Sequence, residues 1–298
     1  MAAVTGQQNV DLREPKGWRR TSNRIVTVLM VLAFVLVIIP LGFVLVTVVA
    51  KGISIISVTF LTSQIPPNVA PADVGGIWPA ILGTLEIVGL ATLMAVPLGI
   101  LGAIYLNEYG GRGPLGVLIG FMSDVMTGVP SIIMGLFIFS IWVLHFGYSG
   151  FAGALALGCL MLPIVIRSTY EMLRLVPNSL REGSYALGAT KARVTMTVVL
   201  PAAIGGIVSG ALLAVARAAG ETAPLIFTIL GGLTLATNPN VFSGATTALP
   251  LLIFSNASSP YVGAQARGWG AALTLIVICF VLMIAARLVT ARFARYSR

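Results

Sequence analysis

The sequence predicts an all-α polytopic membrane protein with six transmembrane helices. Three observations carry that prediction. Of 298 residues, 57% are hydrophobic and only 9% are charged, against about a quarter charged in ordinary soluble domains. The mean hydropathy is +1.00, more apolar surface than a soluble chain of this length can cover. The apolar residues fall into six long runs, each near the roughly 20 residues that a helix needs to cross a bilayer. Unpaired backbone is excluded from lipid, and these runs are too long and too unalternating for barrel strands, so the spans are expected to be helices.

The elements follow in order. Residues 1–24 form a polar N-terminal tail, too long and mixed for a signal segment. A domain of six spans covers 25–290, and 291–298 form a second short tail. The runs lie at about 25–49, 77–106, 115–144, 150–165, 201–230 and 269–289. The third is interrupted by the stretch GVPS at 128–131. Runs two, three and five exceed the bilayer, so tilt or kinks are expected, with Pro97, Pro130 and Pro224 as kink points. Two outer loops, 50–76 and 231–268, are rich in Ser, Pro and Asn. The second keeps enough apolar residues in ALPLLIFSN for a short interfacial helix. Cys159 and Cys279 sit in apolar runs and read as buried free thiols, and His145 as an interfacial residue at a helix end.

Charge sets the orientation. The net charge is +9. Arg13, Lys16, Arg19, Arg20 and Arg24 precede span one, and Arg112 lies between spans two and three. Arg167, Arg174, Arg181, Lys191 and Arg193 lie between four and five, and Arg287, Arg292, Arg295 and Arg298 close the chain. All of these fall on one side, against Lys51 and Arg267 on the other. The positive-inside rule then places both termini in the cytoplasm. The basic balance is a topology signal, and nucleic acid is not expected as a partner.

The segment 168–200 is the longest loop on the basic side. Ser179 and Glu182 have capping-box spacing, which predicts a short helix opening at Ser179. Gly188 is placed to close it with left-handed backbone, and Thr190 to cap the next helix. The short helix would lie across the span ends with a small-residue face of Gly183, Ser184, Ala186 and Ala189, open to close approach by another protein.

Charges inside the spans mark either internal locks or a substrate path. In ARAAGETAPL, residues 216–225, Arg217 and Glu221 stand four residues apart. Four helical residues turn about 400° and rise about 6 Å, so the two share a face. They read either as a self-satisfied ion pair or as the lining of a path, with Gly220 and Pro224 loosening the helix around them. Arg167 reads equally as a snorkelling end residue or a path residue. Asp124 could line the path or accept hydrogen bonds from a neighbouring span. Glu86 lies in span two without an evident partner. A helix starting near Pro130 would aim its N-terminus and Ser131 at an anion, unless Pro130 is a simple kink.

The loop resembles the EAA loop of ABC importer permeases: E-A-A, three residues, G, nine residues, I-x-L-P. Glu182, Gly183 and Ser184 stand for E-A-A, Gly188 for the glycine, and Val198, Val199, Leu200 and Pro201 for the close. The triplet is degenerate and Val replaces Ile, but every spacing holds. Further, ARAAGETAPLIFT, LGILGAIYLNEY (98–109), GVPSIIMGLF (128–137) and LPIVIRSTYEMLRLVPNSLREGSYALGAT (162–190) resemble the Pst-type phosphate permeases, in particular the PstA-like subunit. The matching stretches run from about 75 to 230.

The resemblance implies a type I ABC importer permease fold in a bacterial cytoplasmic membrane. It implies a heterodimer with a PstC-like permease, a PstB-like ATPase dimer holding ATP and Mg, and an external phosphate-binding protein. It implies that the 179–188 helix docks on the ATPase and that Arg217 and Glu221 serve phosphate passage. The chain has no GxxxxGK[ST] sequence, so ATP hydrolysis is expected on a separate chain and no cofactor in this one. The rival cargoes are sulfate and molybdate. An ion-coupled secondary transporter could use Glu86, Asp124 and Glu221, but gives no reason for the EAA spacing.

Overall fold

The computed structural model describes residues 18–65, 73–110, 113–230, 242, 244 and 246–296. Arg13, Lys16, Arg112, Arg298 and, in the segment after Leu230, residues 231–241, 243 and 245 lie outside the described residues. The chain divides into two units, 1–50 and 51–298. The described residues of the first belong to one long helix, α1 (Trp18–Gly52), with Pro40 inside it. Its side chains, among them Leu29, Phe34, Leu36 and Phe43, are exposed and apolar, as a lipid-facing or partner-facing span requires.

The second unit holds the other helices. α2 (Val58–Thr62) is a short outer turn capped by Ser57, and α3 (Trp78–Ile104) runs on through a π turn, Tyr105–Tyr109. α4 (Pro114–Gly128) and α5 (Ser131–Ile138) follow, and α5 passes through a second π turn, Phe139–Val143, into α6 (Leu144–Phe146). α7 (Gly150–Arg174) is capped by Ser149, whose side chain accepts from the Ala152 N–H. α8 (Asn178–Ala186) is the short loop helix. α9 (Lys191–Val194) joins α10 (Leu200–Ala219) through a third π turn, Thr195–Val199. α11 (Ala223–Thr228), α12 (Leu249–Ala257) and α13 (Val262–Tyr296) complete the chain. α12 is the short helix expected from ALPLLIFSN.

Among the described residues, five stretches are long and apolar enough to cross a membrane: Arg20–Gly52, Trp78–Tyr109, Gly150–Arg174, Lys191–Ala219 and Val262–Ala285. The remaining predicted span, 115–144, is not a straight helix with a kink. It is a pair, Pro114–Gly128 and Ser131–Phe146, bent by 109°. Two successive extended residues make the bend, Val129 with ψ 127° and Pro130 with ψ 137°. Proline disfavours helical backbone in the residue before it, and its missing N–H ends the ladder. The predicted fifth span also divides. α10 stops at Ala219, Gly220 to Thr222 leave the helix, and α11 begins with Pro224 in its first turn.

The core is built on small residues. Ala91 and Ala95 of α3, Ala154 and Leu157 of α7, and Ala214 and Ala218 of α10 are buried together with Leu225 and Ile229. A Cβ on Gly99 would fall 2.7 Å from Val165 Cγ1, so α3 and α7 meet at glycine distance. Close approach is what drives helix association in lipid, where apolar burial alone supplies little. A smaller core joins α2, α3, α12 and α13 around Phe60, Ile77, Leu249 and Ala271. Arg267 of α13 is buried there and donates to the Val74 carbonyl, tying the segment before α3 to α13.

Candidate functional site

Two charged pairs and one loop helix are the features with functional chemistry. The first pair sits where α10 ends. The Gly220 N–H bonds the Arg217 carbonyl at 3.1 Å and the Glu221 N–H bonds the Ala218 carbonyl at 3.2 Å, so the chain leaves the helix in a tight turn. Arg217 Nε lies 3.5 Å from Glu221 Oε1, with side chains 68% and 20% exposed. Such an open, long contact contributes little to stability. A lock that held the bundle would be buried and tightly bonded. The pair is instead half open, at a break in the span.

That break is braced by the other one. Gly135 of α5 lies against Pro224 of α11, where a Cβ would come within 2.6 Å of the Pro224 Cα. Leu225 and Ile229 reach Gly153 of α7, and the Ser149 N–H bonds the Thr228 carbonyl at 3.3 Å. The two interrupted segments, one entered at Pro130 and the other at Thr222, therefore pack on each other and on α7. Ser131 is the first residue of α5 and Pro130 its N-cap, without a side-chain capping bond. The helix start expected near Pro130 is present, and the simple kink is excluded.

The second pair joins α4 to α7. Asp124 Oδ1 accepts from Arg167 Nη1 at 3.1 Å, and both side chains are 65% exposed. Asp124 thus bonds to a neighbouring span, and Arg167 is its partner. Beside them lies a cavity of about 170 Å³ lined by Leu106, Gly120, Ser123, Ile166, Arg167 and Tyr170. Ser123 Oγ is buried there without a hydrogen-bond partner. Among the described residues no ion pair joins Arg217 and Glu221 to Asp124 and Arg167. Glu86 is exposed on α3.

The loop helix corrects one expectation. α8 begins at Asn178, with Pro177 at the N-cap and no side-chain capping bond, so Ser179 and Glu182 form no capping box. Pro177 already has the extended backbone of a cap (φ −58°, ψ 137°), which moves Ser179 inside the first turn. The Asn178 side-chain oxygen that could have capped accepts from Arg181 instead. The far end is as expected. Gly188 has φ +80°, its N–H bonds the Tyr185 carbonyl, and the Ala189 N–H bonds the Ser184 carbonyl at 3.2 Å. These are the two bonds of a Schellman close. Thr190 caps α9 by accepting from the Arg193 N–H. Leu200 and Pro201 open α10 directly after the Thr195–Val199 π turn, a wide turn that accommodates a residue lacking an N–H. Glu182 and Gly183 are exposed, Ser184 is half-buried, and Leu180, Tyr185 and Leu187 present apolar surface on the same helix.

Sequence reasoning missed a third pair. Arg181 Nη2 lies 3.1 Å from Glu108 Oε1, with side chains only 13% and 5% exposed. In the sequence Arg181 bears only on orientation, and Glu108 is one residue of the stretch LGILGAIYLNEY.

Residues 95–295 match the family described as binding-protein-dependent transport system inner membrane component. The chain is 43% identical over 274 residues to the phosphate transport system permease protein PstA 1 of Mycobacterium tuberculosis (strain CDC 1551 / Oshkosh), covering 91% of this chain and 89% of that one. It is 41% identical over 265 residues to the PstA protein of Haemophilus influenzae, covering 88% and 92%. Among solved structures, it resembles the inward-facing MetNI methionine ABC transporter, with TM-score 0.58, 18% identity, and coverage of 73% of this chain and 94% of that one. A bacterial ABC transporter that imports the acidic polysaccharide alginate gives TM-score 0.59 at 13% identity, covering 92% and 96%. At those identities the structures speak for the fold alone.

Proposed function

The chain belongs to the binding-protein-dependent transport system inner membrane components, among the PstA-type phosphate permeases, and from that premise we propose how it works. It is the transmembrane permease subunit of an ATP-driven importer of inorganic phosphate, a transporter component and not an enzyme. It is a multi-pass membrane protein. We place both termini in the cytoplasm on the distribution of Lys and Arg. We infer a second, PstC-like permease beside it, a PstB-like ATPase dimer that holds ATP and Mg beneath α8, and a phosphate-binding protein outside. Sulfate and molybdate are not favoured as cargo, because the relatives at 40% identity and above are phosphate permeases.

One observation carries the mechanism: the loose, half-exposed Arg217 and Glu221 pair at a helix break. Arginine offers fixed, permanently charged donors that suit phosphate oxygens. An ionised carboxylate only accepts, so it can take a hydrogen bond from the P–OH that phosphate keeps near neutral pH. At 3.5 Å the pair parts at little expense to admit the anion. The exposed Asp124 and Arg167 pair and the neighbouring cavity with Ser123 supply a second polar stretch of wall, and Ser131 a third. α8, with Glu182, Gly183, Ser184, Gly188 and the following Leu200 and Pro201, carries ATPase motion into the bundle.

The test is uptake of labelled phosphate by vesicles containing the assembled transporter. Arg217→Gln is expected to abolish ATP-dependent uptake while the complex still copurifies. Wild-type uptake by that variant returns the pair to a structural role.

A further inference from the structure

The exposed charge pairs can part at little expense, but the pair at the α8 end of the bundle cannot. Arg181 of α8 spends its guanidinium on four acceptors. Nη1 donates to the Val176 carbonyl at 2.6 Å and to Asn178 Oδ1 at 3.2 Å. Nη2 donates to the Leu173 carbonyl at 2.9 Å and to Glu108 Oε1 at 3.1 Å. Leu173 lies in the last turn of α7, and its carbonyl also accepts from the Val176 N–H at 3.3 Å. Glu108 lies in the π turn that ends span two, and Asn107 Nδ2 also donates to its Oε1 at 2.7 Å. A second tether runs to the same turn: Lys191 Nζ, at the start of α9, sits 5.1 Å from the centroid of the Tyr109 ring. Behind these contacts, Ala103, Leu173, Val194, Val199 and Ala203 share one buried core.

We propose that Arg181 and Glu108 are positioning residues that form the joint through which displacement of α8 reaches spans two and four. This rests on the reading of α8 as the ATPase-facing helix. Separating a buried ion pair strands a charge without water, which is far more costly than parting an exposed pair. Arginine's planar fork fixes direction as well as distance. A push on α8 therefore moves the π turn and the end of α7 with it, while the open pairs further along the spans rearrange.

The assembled transporter in vesicles tests this through phosphate imported per ATP hydrolysed. Glu108→Gln and Arg181→Lys are expected to keep the ATPase bound but lower that ratio roughly fivefold or more, the low end of ordinary coupling effects. A double variant, Glu108→Cys with Arg181→Cys, should show the same waste of ATP. It should recover when a short bifunctional thiol reagent bridges the two positions. A purely local structural role predicts lost assembly without recovery of the ratio on bridging. Assembled Glu108→Gln and Arg181→Lys complexes with the wild-type ratio overturn the proposal. So does a bridged variant that assembles and still wastes ATP, which decides the matter if the single variants do not assemble. Absence of ATP-dependent uptake by the wild-type complex would instead sink the underlying reading of the chain as a phosphate permease.

Discussion

On the proposed path, the single carboxylate of Glu221 would serve two ends, attraction of a protonated anion and rejection of an unprotonated one. Phosphate near neutral pH brings a P–OH donor, and sulfate brings none. The Oε1 contact to Arg217 is long and the Glu221 side chain is one-fifth exposed, so the carboxylate can turn toward a passing anion. Glu221→Gln is expected to slow phosphate uptake and to weaken the exclusion of sulfate, because the amide no longer repels it. Competition by sulfate against labelled phosphate measures this. Unchanged exclusion would place discrimination outside this residue. Gly188 poses a backbone question instead. Its φ of +80° is ordinary for glycine, but left-handed backbone costs other residues roughly 1–2 kcal/mol. No atom lies within 4 Å of a Cβ built there, so the penalty of Gly188→Val is conformational and not steric. The variant should fray the Schellman close of α8, and ATP hydrolysis should continue with uptake reduced.

At the scale of elements, the brace between the two interrupted segments is the feature most open to test. A Cβ on Gly135 meets the Pro224 Cα at 2.6 Å and the Pro224 carbonyl oxygen at 2.8 Å. Backbone cannot yield as a flexible side chain can, and overpacking of this kind typically costs about 1–3 kcal/mol. Gly135→Ala should lower the melting temperature of the purified protein by about 2 °C or more. Gly89→Ala, with nothing within 4 Å of its Cβ, should not lower it. Equal melting of the two variants would show that α5 and α11 move apart freely. The same elements mark how far sequence could be read. The spans were legible because apolar length is a local property. The break at Gly220 was legible because Gly220 falls between the charged residues Arg217 and Glu221 and Pro224 follows them closely. The 109° bend was only half legible: Pro130 announced an interruption, but the angle depends on Val129 and Pro130 both being extended and on α11 lying against α5. The capping expectation at Ser179 failed because Pro177 supplied the extended residue two positions earlier. Arg181 and Glu108 are 73 residues apart, and no periodicity or spacing links them. Only the folded chain brings the loop helix onto the end of span two.

At the scale of the whole molecule, orientation is the remaining question, and it bears on every functional statement. If α8 faces the cytoplasm it can meet an ATPase; if it faces outward it cannot. Arg167, Arg174, Arg181, Lys191 and Arg193 cluster on the α8 side, against Lys51 and Arg267 on the other, which favours the first. These charges are not equivalent in the folded chain. Arg181 is consumed by the joint with Glu108, Lys51 stacks over Trp269 at 4.7 Å, and Arg267 is buried. Leaving out the ion-paired, half-buried Arg181 and the buried Arg267 still sets Arg167, Arg174, Lys191 and Arg193 on the α8 side against the exposed Lys51 opposite, so the asymmetry survives among the described residues. Three exposed positions read it out: Thr62 at the end of α2, Ser258 after α12, and Ser179 in α8. In a background with Cys159 and Cys279 replaced, single cysteines at Thr62 and Ser258 should react with a membrane-impermeant thiol reagent in intact cells. A cysteine at Ser179 should react only after the membrane is opened. Reaction at Ser179 in intact cells would invert the topology, put α8 out of reach of ATP, and remove the basis for both the coupling role of Gly188 and the joint at Arg181.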